Sequence, residues 1–208
     1  MKLALTCFSC LLLSSPAFTQ EVPHFTADIG GGFTTPLGTT GSNLNTGWNI
    51  QGGVGYNFSA YFGTKVQAEF DDLGISSGAL SSLGYPGGDV HVLSATVDPI
   101  VHLTPKHPVD LYVIGGGGLY HVYQEFTQPT VIPVTGYNPF FGFYTAGVPG
   151  SQVLASYSVN KPGWNGGVGV SFGAPHGHGR FFAEARYDHV YMTHSHMDFL
   201  PVSFGFRW

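Results

Sequence analysis

Charge is scarce in this sequence. Asp, Glu, Lys and Arg together make up 9% of its 208 residues, against roughly 25% in ordinary soluble domains. So few charges do not suit the surface of a soluble enzyme. Positive charge is scarcer still, with seven Lys and Arg against twelve Asp and Glu and a net charge of −5. That balance argues against a nucleic-acid partner, because phosphate binding needs clustered cations. Cysteine is limited to Cys7 and Cys10. Past residue 20 no run of 18 apolar residues occurs, which excludes a helical membrane span. If this chain crosses a membrane it must do so as a closed barrel, the one strand architecture that satisfies every backbone group in lipid. Disorder is excluded by a hydrophobic fraction of 43%, too high for a chain that cannot bury a core.

Glycine and aromatic residues are abundant, at 31 residues and 15%. The first twenty residues read as an export signal. Lys2 supplies the positive start, Leu3 to Leu13 the short apolar stretch, and Ser14, Ser15, Pro16 and Ala17 the small residues before a cut placed between 17 and 20. Both cysteines lie inside this segment. The mature chain, 21–208, is therefore expected to carry no disulfide, no thiol nucleophile and no Cys-ligated metal. Neither cysteine follows the apolar stretch, as a lipid-anchor cysteine would.

The mature sequence alternates apolar and polar residues with period two, in segments of about ten separated by Gly, Pro, Asn and Ser. Phe25, Ala27, Ile29 and Phe33 share one face of the first segment, opposite Thr26, Asp28 and Thr34. Trp48, Ile50, Val54 and Tyr56 oppose Asn49, Gln51 and Asn57. Phe62, Val66, Ala68 and Phe70 oppose Lys65, Gln67, Glu69 and Asp71. Leu93, Ala95, Val97 and Val101 oppose Ser94, Thr96, Asp98 and His102. A fifth segment, about 109–125, has an open register because Gly115 to Gly118 fix no face. A sixth covers about 164–172. The seventh sets Phe181, Ala183, Ala185 and Tyr187 against Glu184, Arg186 and Asp188, and the eighth sets Leu200, Val202, Phe204, Phe206 and Trp208 against Ser203, Gly205 and Arg207. The expected fold is all-β, an eight-stranded antiparallel up-and-down transmembrane β-barrel. Short turns near 59–61, 104–108 and 173–179 would lie at one end. Longer loops at 35–46, 76–88 and 126–152, and a short one at 194–198, would lie at the other.

Three stretches, Gly47 to Phe58, Lys161 to Val170 and Pro201 to Trp208, resemble the OmpA-like small outer-membrane barrels, the group that includes OmpX-like and OmpW-like proteins. The resemblance covers nearly all of the mature chain. It implies a place in the bacterial outer membrane, with outer-membrane lipid and lipopolysaccharide as surroundings. It also implies that Phe204, Phe206 and Trp208 form an assembly signal read by the barrel-assembly machinery. OmpA itself carries a periplasmic peptidoglycan-binding domain, and no such segment occurs here, so cell-wall anchoring is not implied.

On this reading Asp28, Lys65, Glu69, Asp71, Asp98, Glu184, Arg186, Asp188 and Arg207 face the lumen. An eight-stranded barrel is just wide enough for side chains to fill it. Charges there need partners, so the expectation is an ionic plug in which Lys65, Arg186 and Arg207 bridge the carboxylates. A gated ion path through the same charges is the alternative.

His176 and His178, and His194 and His196 with Asp198, are His-x-His pairs of the kind that bind transition metals. Apart from Asp198, spacing fixes no third or fourth ligand, so neither a metal nor a cofactor is expected. His189 sits in a strand context similar to that of outer-membrane lipid A deacylases. Tyr191 stands where their motif has serine, so no catalytic residue is assigned and no enzyme is expected. Tyr137, Phe140, Phe141, Phe143 and Tyr144, set among prolines, mark either an interaction surface for an extracellular ligand or rings packed on one another, on the barrel mouth or in an aromatic girdle. The preferred function is a structural or surface-interaction barrel with an occluded lumen. A narrow OmpW-like pore for small or apolar solutes is the alternative, and a lipid A-modifying hydrolase a remote one.

Overall fold

A computed structural model describes residues 24–173 and 179–208. The proposed export segment, with Cys7 and Cys10, and the His176–His178 pair lie outside the described residues. Eight strands run in chain order: β1 (Phe25–Pro36), β2 (Gly47–Asn57), β3 (Phe62–Gly74), β4 (Gly87–His102), β5 (Val109–Asn138), β6 (Gly142–Phe172), β7 (Arg180–Tyr191) and β8 (His196–Arg207). Each pairs antiparallel with its sequence neighbours, and β8 returns to β1 to close the ring. No described helix is long and apolar enough to cross a membrane, which says nothing of strands.

The period-two pattern dictates the wall. Successive side chains of a strand point to opposite faces, so each segment sends one set inward and the other outward. Asp28, Lys65, Glu69, Asp98, Glu184 and Arg186 are buried, while Ile29, Val54, Val66, Val97, Val168 and Phe204 are exposed on the outside. A closed wall with an apolar exterior and a polar interior is stable only where lipid replaces water outside. Following paired residues round the ring leads from Ala27 through Val54, Val66, Val97, Gly117, Trp164 and His189 to Asp198. The carbonyl of Asp198 accepts from Leu37 N at 2.9 Å. The circuit thus comes back ten residues beyond its start, and this stagger sets the strand tilt typical of such barrels. The same pairing resolves the register of β5, with Gly115 to Gly118 opposite Gly166 to Gly163.

At one end, tight turns join β2 to β3 and β4 to β5. At the other, two of the expected longer loops contain short helices, α1 (Gly38–Asn43) and α2 (Ser77–Leu83). Ser76 caps α2 by accepting from Ala79 N. β8 begins at His196, so the expected loop at 194–198 shrinks to the turn between Tyr191 and His196.

The largest departure concerns 126–152, expected to be a loop. It is instead a β-hairpin that continues β5 and β6. β4 pairs with β5 only as far as Thr127, and β7 with β6 only as far as Gly163. Pairing between β5 and β6 goes on to Asn138 and Gly142, with one irregularity at Phe126/Thr127. Eleven residues, Gln128 to Asn138, therefore rise past the last β4 contact, a reach of about 35 Å at strand spacing. Pro129, Pro133 and Pro149 do not break this ribbon. Every second backbone nitrogen of a two-stranded ribbon points away from its partner, where no donor is needed. The turn closes at Gly142, whose φ of +78° lies in the left-handed region open to glycine.

Candidate functional site

Two features stand out as places where this wall could act: the filled lumen and the ribbon. In the lumen, the layer nearest the short turns is built on Asp28 of β1. Lys65 Nζ of β3 lies 2.8 Å from its Oδ1, and Arg207 Nε of β8 lies 3.3 Å from its Oδ2. The Phe182 ring of β7 stands beneath both cations, 5.9 Å from Lys65 Nζ and 5.4 Å from the Arg207 guanidinium, and Arg207 also covers the Tyr112 ring. Ile100, Tyr112 and Ile114 form a small apolar cluster on β4 and β5.

The next layer centres on Arg186 of β7. Its Nε donates to Glu184 Oε1 at 2.6 Å, its Nη1 to Asp98 Oδ2 at 2.8 Å, and its Nη2 to Gln67 Oε1 at 2.6 Å. Every direction of the guanidinium fork thus meets an acceptor, the arrangement that offsets the cost of burying this charge. Asp98 also accepts from Thr96 and Asn165, and Glu184 from Tyr112 at 2.7 Å.

Lys65, Arg186 and Arg207 lie against Asp28, Asp98 and Glu184. Glu69, Asp71 and Asp188 are placed differently. Among the described residues none of these three forms an ion pair. Neutral donors hold them instead: Gln67 for Glu69 at 3.0 Å, Thr34 for Asp71, and Tyr120 for Asp188 at 2.9 Å. Asn49 ties this layer to β1 and β8 through Thr34 and Ser203. The interior holds more acid than base, and the surplus is spread over hydroxyl and amide donors.

Above lies a layer that the alternation did not single out. Leu44, Leu73, Ile75, Val90, Val92, Val122, Val190 and Phe199 form a buried apolar cluster, with Tyr120 at its base and Ala79 and Leu80 of α2 packed against it. The sequence carries this layer in Val90, Val92 and Val190, apolar residues at inward positions of β4 and β7.

The residues expected to form an assembly signal, Phe204, Phe206 and Trp208, all point outward. Phe206 meets Phe181 edge-on and lies alongside Trp208. Trp208 exchanges both backbone hydrogen bonds with Ala27 at 2.9 Å, completing the seam between the last strand and the first.

Of the candidate ligands at the other rim, His196 and Asp198 meet. Asp198 meets His189 Nδ1 at 2.7 Å and His196 Nε2 at 3.3 Å, while His194 stays in the intervening turn. No group of three His, Cys, Asp or Glu side chains is placed to hold a metal ion among the described residues. His189 stacks on His196 and meets Tyr191 edge-on. The Ser195 hydroxyl donates to the carbonyl of His196 rather than to the His189 ring.

The ribbon differs from the lumen in every respect. From Phe126 to Asn160 the sequence contains no Asp, Glu, Lys, Arg or His. At the tip Asn138 accepts from Phe140 N through its side chain and from Phe141 N through its carbonyl. This closed turn holds the two rings outward, at 88% and 85% exposure. Phe143 is 80% exposed and packs on Tyr137, at 5.1 Å between ring centres. Tyr137 and Phe143 pack on one another, while Phe140 and Phe141 stand exposed.

A family model described as "Outer membrane protein beta-barrel domain" matches residues 4–208. Among solved structures, the chain is similar to a major outer membrane protein of Thermus thermophilus at 11% identity and a TM-score of 0.58, covering 88% of this chain and 97% of that one. It is similar to Neisserial surface protein A at 15% identity and a TM-score of 0.55, covering 88% and 96%. It also matches Ail, the attachment invasion locus protein of Yersinia pestis, in complex with the heparin analogue sucrose octasulfate, at 17% identity and a TM-score of 0.47, covering 89% and 99%. At such identities the likeness concerns the fold alone. No curated protein sequence matches the chain.

Proposed function

The chain belongs to the outer membrane protein beta-barrel domain family, and from that premise we propose that it is a surface-interaction protein, with a plugged barrel as mount and the β5–β6 ribbon as binding element. It resides in the bacterial outer membrane as an eight-stranded barrel. The observation that carries the reading is the contrast between its two parts. The lumen is crossed by Arg186 bonding to β3, β4 and its own strand, which leaves little room for a solute path. The ribbon places an aromatic cluster about 35 Å past the last β4 contact, where the barrel has no structural need of it.

An exposed cluster of this kind marks an interaction surface. The protein is read as non-enzymatic: His189 has a carboxylate partner but no serine beside it. Export through residues 1–20 and assembly through Phe204, Phe206 and Trp208 belong to the same proposal. Shortening the ribbon by removing residues 134–146 tests it. The barrel should still fold and reach the membrane while surface binding is lost. Unchanged binding would refute the role of the ribbon. Steady single-channel conductance that disappears in Arg186→Ala would refute the plug and favour the narrow pore.

A further inference from the structure

We infer that the partner of the ribbon tip is an uncharged lipid surface, the zwitterionic face of a bilayer apposed to the cell. This rests on the proposal that the ribbon is the binding element. Four observations carry it.

The first is charge. Thirty-five consecutive residues, from Phe126 to Asn160, offer no Asp, Glu, Lys, Arg or His. Protein, polyanionic sugar and nucleic-acid surfaces present ionic groups that a selective partner answers with charges of its own. A zwitterionic lipid face asks for none.

The second is distribution. Val131 and Tyr137 lie on one face of the ribbon; Ile132, Val134, Tyr144 and Val148 lie on the other, and all are exposed. A folded protein docking on a ribbon covers one face. A medium that closes around the tip desolvates both.

The third is the edges. Pro129 and Pro133 lie on β5 and Pro149 on β6. Each removes a donor that strand addition by a partner protein would use.

The fourth is the tip itself. Its turn satisfies backbone groups through Asn138 and Gly142 and pushes out Phe140, Phe141 and Phe143, nearly bare. Aromatic rings partition to the boundary between headgroups and acyl chains. The open ribbon edges farther down carry unpaired backbone groups that hydrocarbon does not accept. Insertion is therefore confined to the tip, a depth of roughly 5–10 Å like that of interfacial helices.

The test uses the intact barrel in nanodiscs and protein-free vesicles of phosphatidylcholine. Nanodiscs carrying the barrel should float with the vesicles, and empty nanodiscs should not. The bound fraction should stay level from about 0.05 to 0.5 M salt, since no charge is there to be screened. The triple variant F140S/F141S/F143S should lose about tenfold or more in vesicle affinity, the equivalent of one buried ring. Because these rings touch nothing in the barrel, the variant should keep the fast gel migration of a folded, unboiled barrel.

Failure of the wild-type barrel to float, undiminished flotation of the variant, or a requirement for anionic lipid would each overturn the inference. So would spontaneous association of the tip with its own nanodisc, seen as burial of a fluorophore on Phe141→Cys before vesicles are added. Ribbon-dependent attachment to whole cells that vanishes when their surface proteins are removed, with no vesicle binding, would overturn the lipid assignment alone and leave the ribbon reading standing. No ribbon-dependent attachment to either would sink both.

Discussion

Arg186 Nη2 of β7 reaches Gln67 Oε1 of β3 at 2.6 Å, and in an eight-stranded ring β3 and β7 stand on opposite sides. The same guanidinium holds Asp98 and Glu184. Arg186→Ala removes the ion-pair partner of both buried carboxylates, which costs about 3–5 kcal/mol. The expected outcome is a marked drop in the urea concentration that unfolds the barrel in lipid. Arg186→Lys should recover only part of it, because a single ammonium cannot fill three acceptors in a fixed fork.

Removing residues 134–146 should leave barrel stability within about 0.5 kcal/mol of the parent. These residues pair only with one another and lie past the last contacts with β4 and β7. Unfolding in urea, compared before and after the deletion, checks this. A large loss would mean that the ribbon props the barrel mouth.

Gly205 sits where β8 meets β1. A Cβ there would lie 2.1 Å from Ile29 O and 2.7 Å from the Phe182 ring. Gly205→Val should therefore prevent the seam from closing, and little folded barrel should be recovered from membranes. Gly52→Ala is the control. Its Cβ would find only Asp28 O, at 3.6 Å, and the barrel should assemble at the parental level.

Deletion of Trp208 removes two backbone hydrogen bonds to Ala27 as well as the ring beside Phe206. Trp208→Phe keeps both backbone bonds and an aromatic ring. If the last strand is an assembly signal, the deletion should lower the amount of folded barrel in the outer membrane severalfold, and Trp208→Phe should be close to wild type. Quantitative blotting of boiled and unboiled membrane fractions distinguishes them.

Much of the fold is legible in the sequence because a strand has a rigid two-residue period. Once Phe62, Val66 and Phe70 are placed outside, Lys65, Gln67 and Glu69 have to be inside. Their partners are not legible. Gln67 and Arg186 lie 119 residues apart in sequence, and which acceptors a guanidinium meets depends on the stagger of the whole ring. The inner apolar layer escapes for a related reason. Leu44 and Ile75 come from outside the named strands and reach Val92 and Phe199 only through three dimensions.

The ribbon reads as a loop because Pro129, Pro133 and Pro149 signal an end to pairing in a broad sheet, whereas a two-stranded ribbon has free edges to hold them. The rings at 137–144 are singled out in the sequence, but neither their exposure nor the distance at which they are held is legible there.

The charge-free ribbon also has a consequence for mapping this protein on living cells. Between Lys106 and Lys161 there is no Lys or Arg. Lys161 Nζ is itself engaged by Thr193 at 2.7 Å, back at the barrel rim. Trypsin therefore has no cleavage site anywhere on the most prominent projection of the molecule. A cell-surface digest with trypsin would release no ribbon peptide and would report the protein as shielded. Chymotrypsin would cut first at Phe140 and Phe141.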